Sequence, residues 1–229
     1  MDKFINVTLG LLESFSSSVL LFALTLIIAL PLGLLISFCT MSRVTVLRVP
    51  FKILVWILRG TPLMLQIFAV FYVPGLLFGF VWPTMNTGWK WFDTTVSTRF
   101  LAALVAFGIN YAAYFSEIYR GGIQSVSKGQ YEAGQVLGLN KSQVFTKIVF
   151  MQVVKRIIAP MSNEIITLVK DTSLAKTIGV VEMMFMAERY MLEGLIWPIF
   201  YAGLFYLLFV GGLTLLFGWL ERKLSYYQV

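Results

Sequence analysis

The chain has 229 residues, 59% of them hydrophobic and 16% aromatic, with a net charge of +7 and a mean hydropathy of +0.83. That composition excludes a water-soluble domain, in which apolar residues typically make up about 45–50%. Histidine is absent and the one cysteine is Cys39, so an internal disulfide, a Cys/His metal site and the common hydrolytic constellations have no members.

Residues 14–42, 60–89 and 194–220 carry no charge, and each run exceeds the roughly 20 residues that cross ~30 Å of hydrocarbon. Residues 100–116 are uncharged and just long enough, and 148–169 form a fifth, more polar candidate. We expect an all-α membrane protein with five spans at about 12–40, 50–80, 99–120, 146–170 and 196–220, in one transmembrane domain over 1–229. Asp2, Lys3 and Glu13 flank a weakly apolar start, which is not a signal-peptide pattern, so the first span is expected to be retained. Residues 1–13 read as an interfacial lead-in, and Pro31 with Gly33 predicts a kink in span one.

Arg43, Arg48 and Lys52 follow span one without an acid, which places that loop in the cytoplasm by the positive-inside rule. In span two, Arg59-Gly60-Thr61-Pro62 precedes Gln66. Arg59 sits about nine residues into the helix, where an arginine must snorkel or be paired. It either reaches headgroups or a helix end on the inner side, or serves a substrate carboxylate or a gate. Pro62 frees the carbonyl of Leu58, a polar atom that must face protein or water. Trp82, Trp89, Trp91 and Phe92 then fit an interfacial belt.

In span three, Asn110, Tyr114, Glu117 and Gly121 share one face, which should look into the bundle, as helix glue or as part of a pathway. Arg120, Lys128, Lys141 and Lys147 against Glu132 alone make the next loop cytoplasmic. Inside it, residues 128–138 read as a short water-facing helix. Ser127 with Gln130 predicts a capping box, Gly138 a left-handed stop, and Asn140 with Gln143 a cap for the helix that follows.

Span four carries Arg156, Pro160, Asn163, Thr167 and Lys170 at helical spacing, so other spans must shield it, and it is the candidate to line a polar path. Lys170-Asp171-Thr172-Ser173 follows, with Thr172 or Ser173 either capping the next helix or contacting a substrate. The acidic connection 171–193 should lie outside, with Met183, Met184, Phe185 and Met186 packing there. Span five contains Gly203, Gly211, Gly212 and Gly218, which permit close helix approach. The basic tail Glu221-Arg222-Lys223 puts the C-terminus inside and the N-terminus outside.

No G-x-x-x-x-G-K-[ST] loop occurs, so ATP cannot be bound by that route. Glu132-Ala133-Gly134, then Gly138, then Ile148-Val149-Phe150-Met151 resembles the EAA motif of the permeases of ATP-binding-cassette importers. Gly134, Phe150 and Met151 replace its second alanine, leucine and proline. Without that proline, span four is expected to start straighter than in relatives. Arg59-Gly60-Thr61-Pro62-Leu63, Glu117-Ile118-Tyr119-Arg120-Gly121-Gly122, Gly129-Gln130, Asn163-Glu164 and Lys170-Asp171-Thr172-Ser173 are similar to the polar amino acid permease subfamily.

The resemblance implies a type I importer (MetI-like) permease fold in the bacterial cytoplasmic membrane, used as a dimer with the same or a sibling chain. It implies a non-enzymatic subunit without cofactor of its own, ATP and Mg being bound by a partner ATPase dimer, and an extracellular or periplasmic binding protein that delivers a polar amino acid. Gln130, Glu132, Ala133, Gly134, Gly138 and Leu139 would couple to the ATPase. Arg59, Asn110, Asn163, Glu164, Asp171, Thr172 and Ser173 would line the substrate pathway. A non-transporting scaffold and a passive channel are the alternatives.

Overall fold

In the computed structural model, residues 2–83 and 97–224 are described. They form α1 (Asp2–Met41), α2 (Thr45–Gly60), α3 (Leu63–Phe78), α4 (Thr98–Gln124), α5 (Lys128–Val136), α6 (Lys141–Val144), a π-turn (Phe145–Val149), α7 (Phe150–Asp171), a 3-10 turn (Thr172–Ile178), α8 (Met183–Leu192) and α9 (Trp197–Leu224). No strand occurs among the described residues. The all-α expectation holds. Trp89, Trp91 and Phe92 lie outside the described residues, while Trp82 packs on the core beside Phe80.

Helix α4 is the centre of the bundle. Ala102, Ala103, Ala106, Ala112 and Ala113 are buried with Phe107, Tyr111 and Phe115. These small residues let neighbours approach closely, since membrane helices gain from van der Waals packing more than from leaving water. On α1, a Cβ at Gly33 would meet the Ala112 carbonyl oxygen and the Phe115 Cβ, each at 2.9 Å. Gly33 therefore sets the α1–α4 contact. Helix α1 continues through Pro31 as a single helix of 40 residues, roughly 60 Å at ~1.5 Å per residue. The separate lead-in and the span expected at 12–40 are thus one continuous helix, and its N-terminal portion packs against α8 and α9.

The expected second span is two helices. Pro62 disfavours the helical conformation in the residue before it, and Thr61 is extended at φ −118°, ψ 145°. Helices α2 and α3 meet there at 110°. Among the described residues, α1, α4 and α9 are long and apolar enough to cross a bilayer, and α2 with α3 would add a fourth crossing as one bent pair. Helix α7, expected as the span at 146–170, has 22 residues. It is shielded as expected, packing Ile165, Leu168 and Val169 into the core around α4. Its start is not a plain α-helix, because the π-turn precedes it. Helix α9 stays largely uncovered, and Gly203, Gly211, Gly212 and Gly218 meet no neighbour within 4 Å.

Between the last two long helices, Glu182 is fully buried and caps α8, accepting from the Met184 and Phe185 amides at 2.9 and 2.7 Å. The Tyr206 hydroxyl donates at 3.3 Å to Oε2, the oxygen that also accepts from Met184. Burial pushes this carboxyl from 4.5 up to about 7, against the helix amides and Lys176, which pull it down. A raised carboxyl pKa means that the stabilising state is the neutral one. Its contribution is complete below 4.5 and is lost as pH rises through 7, on the order of 3 kcal/mol in all. The melting temperature of the purified protein should fall over that window, and Glu182→Gln should flatten the fall.

Candidate functional site

Freed by Pro62, the Leu58 carbonyl is captured by side chains. Gln66 Nε2 donates to it at 2.7 Å and Asn110 Nδ2 at 3.4 Å, while Asn110 also donates to Gln66 Oε1 at 3.0 Å. Gln66 Nε2 donates to Thr61 Oγ1 at 2.8 Å as well. These bonds tie the α2–α3 bend to α4, because a carbonyl without an amide partner in a low-dielectric site costs several kcal/mol. Pro62→Ala would restore an amide and remove the restriction on Thr61. The bend should then relax, which we expect to read as a longer distance between spin labels placed on α2 and α3 than in the parent.

A cavity of about 350 Å³ opens beside the bend. Thr61, Pro62 and Leu63 form one wall, Asn110, Tyr111 and Tyr114 of α4 a second, and Glu164, Thr167 and Asp171 of α7 the third. Glu164, Thr167 and Asp171 follow helical spacing, so α7 turns two carboxylates and a hydroxyl to one side. The Tyr111 hydroxyl donates to Asp171 Oδ2 at 2.7 Å, which fixes that carboxylate across the helix boundary. Among the described residues, no lysine or arginine lines the cavity. The arrangement suits a small cation with hydrogen-bonding groups.

Of the predicted pathway residues, Asn110, Glu164 and Asp171 line this cavity. Asn163 is exposed elsewhere on α7, and its carbonyl accepts from Thr167. Thr172 is buried and donates to the Val169 carbonyl at 2.7 Å, and Ser173 likewise turns back to Lys170. Both hydroxyls serve their own helix end. Arg59 stands outside the lining, paired to Glu117 at 3.6 Å and lying over the Tyr114 ring at 5.2 Å. Of the two options for an arginine at that depth, pairing is the one adopted. Tyr111 and Thr61 went unassigned in the sequence, since an aromatic next to Asn110 and a threonine before proline carry no signal until tertiary contacts place them.

The second candidate surface is α5. Ser127 is its N-cap residue, yet the hydroxyl makes no capping bond, so the predicted box is absent. Gln130, its expected partner, instead accepts from Gln152 of α7 at 3.2 Å. At the other end Gly138 has φ +74°, and the Leu139 amide donates to the Gly134 carbonyl at 3.1 Å, closing the helix as predicted. The Asn140–Gln143 capping box is present in both directions.

Helix α5 leans on α6 and the π-turn through Gly134, where a Cβ would come within 2.7 Å of Val144 Cγ2 and 3.1 Å of Ile148 Cδ1. At Gly134, the departure from the alanine of the motif, any side chain would force Val144 and Ile148 to shift. Leu139 packs inward with Val126, Val144 and Val149. Glu132 and Ala133 face out, together with Val136 at 88% and Leu137 at 75% exposure. Those last two were not singled out in the sequence. From Asn110 to Gln124, α4 covers roughly 21 Å at ~1.5 Å per residue, which joins the cavity to the segment leading into α5.

Residues 29–226 match the model of the family described as binding-protein-dependent transport system inner membrane component. The chain is 36% identical over 166 residues to the L-cystine transport system permease protein TcyB of Bacillus subtilis, covering 72% of this chain and 64% of that protein. To the arginine transport system permease protein ArgU of Corynebacterium glutamicum it is 38% identical over 157 residues, covering 68% of this chain and 48% of that one. The chain thus spans about half to two thirds of the length of these relatives. The fold matches the crystal structure of an amino acid ABC transporter with histidines at a TM-score of 0.81 and 24% identity, covering 96% of this chain and 97% of the other.

Proposed function

This chain belongs to the binding-protein-dependent transport system inner membrane components, and we propose that it is the permease subunit of an ATP-driven amino acid importer. The observation that carries the reading is a polar cavity with two carboxylates inside an apolar helix bundle, joined through α4 to an exposed coupling helix. An amino acid handed over by a binding protein would enter the cavity from the outer side. Asp171, oriented by Tyr111, would take the α-ammonium group, and the Tyr114 hydroxyl would donate to the carboxylate, since Thr61 and Thr167 already donate to the Ile57 and Asn163 carbonyls. Glu164 is then left for the side chain, which favours a basic or amide amino acid over an acidic one, because a third carboxylate there would meet two others.

Helix α5, with Glu132, Ala133, Val136 and Leu137 outward, would seat in a groove of a cytoplasmic ATPase. ATP-driven closure would rock this chain and a second permease between outward- and inward-facing arrangements, provided that the two states bind the ATPase differently. The uncovered face of α9, with glycines open along it, suits that second chain or lipid in the bacterial cytoplasmic membrane.

The test is uptake by proteoliposomes that hold the permease, its ATPase and its binding protein, offered basic, amide, acidic and sulfur amino acids. ATP-dependent uptake of a basic or amide member is expected. Uptake that proceeds without ATP would make the chain a channel, and no uptake of any member would overturn the reading.

A further inference from the structure

Below the cavity, on the side of α4 that runs toward α5, four side chains form a charged cluster. Arg120 holds Glu117 with two hydrogen bonds, at 2.9 and 2.6 Å, and donates to Gln124 at 2.8 Å. Glu117 is therefore pinned to its own helix. Arg59 reaches the same carboxylate from α2 by one longer contact of 3.6 Å, while its guanidinium carbon lies 5.2 Å from the centre of the Tyr114 ring, a wall of the cavity. Lys52, also from α2, adds positive charge near Glu117, and Glu164 on the opposite cavity wall feels the field of Arg59.

The geometry makes Arg59 the movable member. It precedes Gly60, whose Cβ position meets nothing within 4 Å, and the 110° bend at Thr61 and Pro62. A lone contact across two helices in the membrane is also easier to break than a bidentate one within a helix.

We propose that Arg59, bridging α2 to Glu117 of α4 and lying over Tyr114, is the inner latch of the cavity, and that its separation from Glu117 opens the path to the cytoplasm. The latch rests on the permease reading of the cavity. Closed, it blocks the exit in two ways. The guanidinium backs Tyr114 so that the ring stays in the wall, and its positive charge repels a cationic substrate. Open, the Arg59 side chain swings away from Glu117 and Tyr114 while the Leu58 carbonyl stays held by Gln66 and Asn110, so the gap forms at the side chains on the α4 turn that leads on to the coupling helix.

Cys39 is the one cysteine of the chain, so a single reporter thiol can be placed after Cys39→Ser. Thr167→Cys puts it on the α7 wall of the cavity. The full complex with its ATPase, in inside-out membrane vesicles without nucleotide, is treated with a membrane-impermeant maleimide from the cytoplasmic face. Arg59→Gln and Glu117→Gln should each speed labelling about tenfold, the factor that corresponds to ~1.4 kcal/mol. Arg59→Lys, which keeps the charge, should label within about twofold of the parent, a change under ~0.5 kcal/mol. Equal rates in the parent and both glutamine variants would overturn the latch, and so would Arg59→Lys labelling as fast as Arg59→Gln. Import is measured on the complex that keeps Thr167, so that labelling as expected in the reporter complex, together with no import of any amino acid by the complex that keeps Thr167, overturns the substrate reading alone. A complex that imports but shows unchanged labelling overturns the latch alone.

Discussion

Asp171→Asn should lower ATP-dependent uptake by about thirtyfold to a hundredfold, the range that corresponds to losing one charge-assisted contact of roughly 2–3 kcal/mol. Asparagine keeps the size of the side chain and can still accept from the Tyr111 hydroxyl, which now donates to Asp171 at 2.7 Å. What disappears is the charge that would meet an α-ammonium group. Tyr111→Phe leaves that charge but removes its orientation, so a smaller loss of about fivefold to tenfold is expected, near the ~1 kcal/mol of an ordinary hydrogen bond. The order of the two variants is the informative result. Uptake assays on complexes that retain their ATPase provide it, and a Tyr111→Phe loss as large as that of Asp171→Asn would mean that Asp171 acts by holding α4 to α7 and not by contacting the amino acid.

Gly134→Leu should abolish coupling, with ATP-dependent uptake falling at least about hundredfold while the protein still inserts in the membrane. A single Cβ there already comes within 2.7 Å of Val144 Cγ2, and a leucine adds three further carbons to a gap that holds none. Overpacking of this kind typically costs about 1–3 kcal/mol and shifts the backbone, here by pushing α5 off α6 and the π-turn. A rod that no longer rests on its support cannot pass a rigid-body motion from the ATPase to α7. Glu132→Ala tests the outward face of the same helix and should uncouple with less disturbance, since Glu132 is exposed. At Gly138 the cause differs. No neighbour lies within 4 Å, so Gly138→Ala would act through the left-handed φ of +74° alone, at roughly 1–2 kcal/mol. Measured side by side, uptake per ATP hydrolysed should fall most for Gly134→Leu. If uptake and ATPase stimulation survive in both Gly134→Leu and Glu132→Ala, α5 is not the transmitter.

Residue order alone determined the helical class, the uncharged stretches, the glycine stop after α5 and the Asn140–Gln143 cap, because hydropathy and capping act over a few neighbouring residues. It also marked Asn110, Glu164 and Asp171, since polar groups in an apolar chain must find shelter together. Only the tertiary structure decided which polar groups share a cavity. Thr172 and Ser173 looked equal to Asp171 in the sequence, but at the C-terminal end of a helix the free backbone groups are carbonyls, to which a hydroxyl can donate and a carboxylate cannot, so Asp171 turns to Tyr111. Likewise Gln130 left its expected capping role for Gln152, 22 residues away in the chain, a competition between a local and a distant partner that spacing does not reveal. The partner of Arg59, the 110° turn at Pro62 and the close approach at Gly134 belong to the same class. Each depends on where another helix lies, and that is fixed by packing across the bundle.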